Sequence, residues 1–432
     1  MPAFVFGIVL FALCIALSIA LHEAGHMLTA KAFGMRVRRF FIGFGPTVTS
    51  VKRGETEYGI AALPFGGFCD IAGMTAMDPL TEEEKPHAMY RKPWWQRVAV
   101  MSGGIVMNLL LGFMVIYVLA VSAGIPNPYA DRTPTVGELT CTSDQVDAET
   151  VAECTGDGPA AAAGVRTGDR ILTVDGAELQ SFVELRDYVL ERPGETIVLG
   201  IERGTEPGAG DGSDATGSDA TGSIDADSAD AGQTTRLDIP VELDEVVRLG
   251  ADGQPYTAGA VGMARAPVAD AMKRFGPVEG IAAAGRFSGE MITASVQGLI
   301  AFPGKIPGVV TAIFGGERDV EGPISVVGAS RAGGELLERD QWAIFFSLLA
   351  NLNFFLALFN LVPLPPLDGG HIAVVLYEAV RDRIRRLRGL PPGGPVNYEK
   401  LMPLTYTMAA LLLGVGVLVM IADVINPVRL FG

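Results

Sequence analysis

The stretch SIALHEAGHMLTA, residues 18–30, puts two histidines and a glutamate at the end of a long apolar run. Polar groups are costly in such a setting, and a chain that keeps them there does so for function. His22 and His26 are four positions apart, so on a helix their imidazoles share one face. That is the spacing of two adjacent zinc ligands. Glu23 between them is placed to take a proton from a metal-bound water. With only four histidines in the chain, a chance match is on the order of a fraction of one percent. The plainer alternative is a solvated helix end at a membrane interface, but no other apolar run here ends in such a trio.

The rest of the chain agrees with a membrane setting. Its 432 residues are 49% hydrophobic with a mean hydropathy of +0.34, more apolar than a soluble domain of this length. A net charge of -16 and a pI near 4.8 exclude nucleic-acid binding, which needs a basic footprint. The same acidity keeps a surface hydrated and points to a salt-loving source. Four stretches are long enough to cross a bilayer as helix: 4–31, 98–123, 342–361 and 404–425. Residues 1–32 lack the basic start and small-residue cleavage pattern of a signal peptide, so they are expected to be a mature span. Arginines and lysines concentrate in 33–97 and again after the third span, which places both segments in the cytoplasm. The N-terminus, residues 124–341 and the C-terminus are then external, and the site lies toward the cytoplasmic side. The expected fold is an α-helical multi-pass membrane protein with four transmembrane helices and an inserted extracytoplasmic α/β domain.

Between spans one and two, TVTSVKRGETEYGI alternates around a polar turn and predicts a hairpin. The glycine-rich LPFGGFCDIAG that follows reads either as a membrane re-entrant segment or as a surface loop. In the external portion, GPAAAAGVRTGDRILTVDGAELQSFVELRDYVL (158–190) resembles a PDZ domain, a module that receives an extended peptide by adding it to a sheet edge. The domain is expected over 133–266. Inside it, residues 204–235 carry seven carboxylates and no basic residue, a composition that cannot bury a core and predicts disorder. Residues 267–341 are amphipathic and either associate with the membrane surface, the favoured expectation, or pack as a gate over the spans. Cys141 and Cys154 are close enough in sequence to bridge, though two free thiols fit equally well.

A catalytic zinc takes a third protein ligand and keeps an open position. FNLVPLPPLDGGH (359–371) offers Asp368. Pro363, Pro365 and Pro366 lack backbone donors and stop the third span there, while Gly369 and Gly370 leave room for close approach. The first and third spans end on the same side, so the two motifs can meet at similar depth. The alternative is that Asp368 is an ordinary helix N-cap. His371 reads as structural, His87 as solvated, and Trp94 and Trp95 as an interfacial anchor ahead of span two.

HEAGH (22–26) with NLVPLPPLDGG (360–370) resembles the site-2 protease family of intramembrane zinc metalloproteases. GFGP (43–46), PFGGF (64–68), SGGIVMN (102–108), the PDZ-like stretch and EGPISVVG (321–328) extend the resemblance over most of the chain, with the 367–369 LDG motif following span three. The resemblance implies one catalytic Zn2+ held by His22, His26 and Asp368, with Glu23 activating water. It also implies that Asn360 helps hold the substrate or transition state, and that Gly66 and Gly67 belong to a loop presenting the substrate as an extended strand. Substrates would be single-span membrane proteins in the lipid bilayer, shortened first by another protease, cleaved in regulated intramembrane proteolysis. The acidic insertion departs from the family pattern. Two rival readings are a metal-ion transporter, whose repeated halves this chain lacks, and a noncatalytic PDZ scaffold, which has no need of Glu23.

Overall fold

The computed structural model describes residues 2–428 except 132, 147–149, 180, 205–233, 251–253, 269, 317 and 320–321. The acidic stretch read from the sequence thus lies almost wholly outside the described residues. The chain divides into two units, one of residues 1–128 with 272–432 and one of residues 129–271.

In the first unit, helix α1 (Pro2–Ala32) is apolar on all sides over most of its length, as a helix in lipid must be, and carries His22, Glu23 and His26 in its last third. Its 31 residues, at about 1.5 Å each, exceed the roughly 30 Å hydrocarbon core. Gly34, at φ 66°, ends it: the Gly34 and Met35 N–H groups turn back to the Lys31 and Ala30 carbonyls. Strands β1 (Val37–Arg53) and β2 (Thr56–Ile71) follow, antiparallel, joined across a turn at Gly54. Register shifts give Arg39–Ile42 two sets of partners, Gly67–Asp70 on one side and Glu57–Ile60 on the other. The first part of β1 is therefore flanked on both sides, and the 63–71 part of β2 forms an outer edge. The glycine-rich segment, read as either a re-entrant dip or a loop, is strand as far as Ile71 and turns at Ala72 and Gly73.

The connection onward is tied by charge. Arg38 donates to Glu84, to Asp78 and to the Pro79 carbonyl, while Glu84 also accepts from the Thr81 N–H. The guanidinium, more than the Thr81 N–H, holds the Glu84 carboxyl down at about 2 against its usual 4.5. A carboxylate with a lowered folded-state pKa adds stability above its ordinary pKa and loses it as pH falls through the folded value. The stability of the detergent-solubilised protein is therefore expected to decline between about pH 4.5 and 2. Glu84→Gln should flatten that part of a thermal-melting profile; an unchanged slope would remove the pair from the account.

Helix α2 (Trp94–Ser122) starts directly after Pro93. It crosses α1 at two glycines with no space between them: a Cβ on Gly25 would sit 2.2 Å from the Gly103 carbonyl oxygen. Small residues at such a crossing let backbones touch, the usual route to close helix packing in membranes. Strand β3 (Ile125–Pro126) then leads to the second unit.

That unit holds β4 (Val136–Leu139), α3 (Pro159–Ala162), β5 (Arg170–Val174), β6 (Ala177–Glu178), α4 (Phe182–Leu190), β7 (Thr196–Gly204), β8 (Thr234–Glu242), β9 (Asp244–Leu249), β10 (Pro255–Ala260) and β11 (Met263–Arg265). The sheet runs in the order β6-β5-β7-β8, with β10 paired to β9 and β11 to β4. Ile171, Leu185, Ile197, Leu199 and Val241 are buried in its core. Ser181 caps α4 by accepting the Glu184 N–H. Cys141 and Cys154 are joined in a disulfide, which resolves the alternative left open by the sequence.

The chain re-enters the first unit through β12 (Met272–Lys273), which pairs with β3. Helices α5 (Pro277–Ile313), α6 (Val326–Glu338), α7 (Trp342–Leu361), α8 (Asp368–Leu387) and α9 (Met402–Ile425) complete it. Among the described residues five helices are long and apolar enough to cross a membrane: α1, α2, α5, α7 and α9. Four match the stretches read from the sequence; α5 is additional.

The VPLPPL segment (362–367) stops α7, and α8 begins at Asp368 itself with Leu367 as N-cap. The N-cap alternative for Asp368 is thereby corrected: the residue lies inside the first turn, so its carboxylate is free for other work. A buried ion pair holds α8 to α2, with Arg97 Nη1 2.6 Å from Glu378 Oε2 and the second Glu378 oxygen accepting the Val396 N–H.

Candidate metal centre

The i, i+4 spacing in α1 and the proline-terminated turn before α8 bring three donor atoms to one point. His22 Nε2 and His26 Nε2 are 3.2 Å apart, and Asp368 Oδ2 lies 3.2 Å from the first and 3.3 Å from the second. A tetrahedral zinc with arms of about 2.0–2.1 Å has donor–donor edges of about 3.3 Å. The triangle therefore fits that ion without adjustment. Asp368 Oδ2 is buried and accepts no hydrogen bond, and three lone-pair donors this close need a cation between them. Among the described residues this is the one group of three such side chains close enough to hold an ion.

The ring nitrogens that face away from the triangle are also fixed. His26 Nδ1 is 2.8 Å from the Val100 carbonyl of α2, so it carries the proton and leaves the Nε2 lone pair facing the triangle. His22 Nδ1 is 3.2 Å from the side-chain amide of Asn108. The Asn108 oxygen has no partner; turning the amide over lets that oxygen accept the Nδ1–H, giving His22 the same tautomer. Gly104 of α2 lies against both rings.

Glu23 points elsewhere. Its side chain lies against β2: a Cβ on Gly67 would sit 3.3 Å from Glu23 Cγ. The outer edge of β2 thus runs beside the glutamate. Gly66, at φ 90°, stands next to the Phe44 ring. Asn360 is in the last turn of α7 and is not one of the three donors. His371 lines a cavity of about 750 Å³ with Asp70, Asp78, Tyr377 and Tyr398, and its ring stacks on Tyr398. Burial pushes the His371 imidazole below its usual range, against the pull of the Asp368 carboxylate. His87 is exposed and meets the Gly34 carbonyl.

The model of peptidase family M50 matches residues 10–390. The chain belongs to peptidase family M50. It is 44% identical over 431 residues to the zinc metalloprotease Rip1 of Mycolicibacterium smegmatis, covering 98% of each chain. It is 42% identical over 433 residues to the zinc metalloprotease Rip1 of Mycobacterium tuberculosis, covering 99% of each. A more distant relative is the probable membrane metalloprotease ARASP2, chloroplastic, of Arabidopsis thaliana, 28% identical over 84% of this chain and 69% of that one. As a family M50 member the chain is a zinc-dependent membrane peptidase, which removes the transporter and scaffold readings. Sequence reasoning assigned no role to Asn108 or Gly104. For Asn108 a signal existed, since a side-chain amide within a membrane-length apolar run is costly unless it serves a site.

Proposed function

We propose that His22, His26 and Asp368 hold the catalytic zinc, that Glu23 is the general base, and that the chain cleaves single-span membrane proteins within or near their apolar segment. The observation that carries this is the near-equilateral donor triangle with Glu23 beside it and outside it. Zinc held there supplies Lewis acidity, polarising a carbonyl and making water a nucleophile at neutral pH. Glu23 takes the proton of the attacking water and returns it to the leaving amide nitrogen. A substrate helix must unwind before its peptide bond can be attacked, and its freed backbone groups then need partners. The outer edge of β2 around Gly66 and Gly67 offers them as one more strand would, and the absence of side chains there lets a second backbone approach. Asn360 is placed to assist at the end of α7.

Residues 133–266 act on this reading as an external PDZ-like domain that excludes bulky ectodomains, so substrates arrive shortened by another protease. The alternating sheet, the capped helix α4 and the disulfide, a bond of oxidising compartments, support that placement. Four spans, with residues 33–97 and α8 on the cytoplasmic side, follow from the arginine-rich connectors; α5 then lies along the outer surface.

The test is a detergent-solubilised model span offered with and without its ectodomain, in the presence and absence of chelator. Cleavage of the trimmed form alone, abolished by chelator and restored by zinc, is the expected result. Equal cleavage of both forms rejects the size filter, and chelator-insensitive cleavage rejects the metal site.

A further inference from the structure

Helix α8 has two unlike faces. Val375 and Glu378 are buried, Glu378 in its ion pair with Arg97 of α2. On the opposite side Leu376, Val380, Ile384 and Leu387 are 41%, 59%, 45% and 80% exposed. Their spacing of four, four and three aligns them in one stripe along the helix. Arg383 and Arg386 flank the stripe on one side and Arg388 on the other; all three are exposed, and none has a side-chain partner among the described residues. The chain carries a net charge of -16, yet residues 381–388 hold five arginines and one aspartate.

We propose that this outer face of α8 docks on the anionic headgroup layer of the membrane, its apolar stripe entering the acyl boundary and its arginines pairing with lipid phosphates. The helix is not itself a membrane span, but it connects two that are, α7 and α9, so both of its ends are tethered at the bilayer. An apolar stripe between arginine flanks is the pattern of an interfacial helix, and long basic side chains beside such a stripe reach up to phosphate. An acidic protein partner would pair with the arginines but would leave the apolar stripe unexplained. The inference deepens the proposed function, on which it rests for the role of Asp368: that residue opens the same helix, so docking the far end fixes the angle at which the carboxylate meets His22 and His26. The Arg97–Glu378 pair, midway along, is the pivot.

The experiment uses the full chain with Cys14→Ser and Leu387→Cys, labelled with an environment-sensitive dye and reconstituted in vesicles of phosphatidylcholine with or without phosphatidylglycerol. A blue shift confined to the phosphatidylglycerol vesicles at low salt is expected. Arg383→Gln with Arg386→Gln and Arg388→Gln should abolish it, and the three corresponding lysine substitutions should preserve it. In parallel, cleavage of a model span should be several-fold faster in phosphatidylglycerol vesicles for the wild type and equal in both for the glutamine variant. A dye that stays water-exposed in anionic vesicles would assign the face to an acidic protein segment and overturn the proposal, as would a glutamine variant that behaves like wild type. A dye shift without cleavage in any vesicle would sink the protease reading and leave the docking intact.

Discussion

Glu23→Gln is expected to leave the protein folded and loaded with metal while lowering turnover by roughly 10²–10⁴-fold, the range for loss of a general acid–base. The reasoning is geometric. Glu23 is not one of the three clustered donors, so the metal does not depend on it. Glutamine keeps the shape of the side chain that packs against Gly67, so β2 should stay where it is. What disappears is a basic oxygen able to take a proton from water and give it to the leaving nitrogen. The measurement pairs cleavage of a model span with metal content per chain. A variant that cleaves at the wild-type rate, or one that has lost its metal, defeats the assignment of Glu23 as base.

Gly104→Ala is expected to cost metal affinity about 10–100-fold or more, the range seen when groups that orient metal ligands are disturbed, with turnover falling in step. The added methyl would lie 2.5 Å from His26 Nε2 and 2.6 Å from His22 Nε2, well inside the roughly 3.5 Å of carbon contact distance. The rings have nowhere to go. His26 is held by the Val100 carbonyl and His22 by Asn108. The helices cannot part cheaply either, because Gly25 and Gly103 are already in backbone contact one residue away. Gly414→Ala in α9 is the matched control, since its added methyl meets nothing within 4 Å. Zinc titration of both variants decides the matter: equal affinities would mean that α2 does not shape the site.

Much of the metal centre was legible because its parts obey spacing rules. His22 and His26 are one helical turn apart, and Asp368 sits in a run of prolines and glycines that can only be a helix break. Their meeting point depended on two spans ending on the same side, which the charge pattern supplied. Gly104 follows no such rule, and the Asn108 amide, costly in an apolar run, signals a site without naming its partner. A glycine in an apolar run is a common residue until a neighbouring helix is placed against it, and that placement is tertiary. Helix α5 was harder to weigh for a related reason: glycine, serine, threonine and charged residues dilute its apolar content, and Pro303 and Pro307 sit inside it. Asp368 shows the opposite case. Local reading allowed an N-cap, and only the observed helix start, with Leu367 as cap and no side-chain capping bond, removes that reading.

Strands β3 and β12 are short, two residues each, but they hydrogen-bond the chain on its way out to residue 129 to the chain on its way back at residue 272. The whole excursion is therefore clasped at its root within the catalytic body. A module attached this way is interchangeable: it can be shortened, enlarged or swapped for another without rebuilding the helices that carry the three clustered donors.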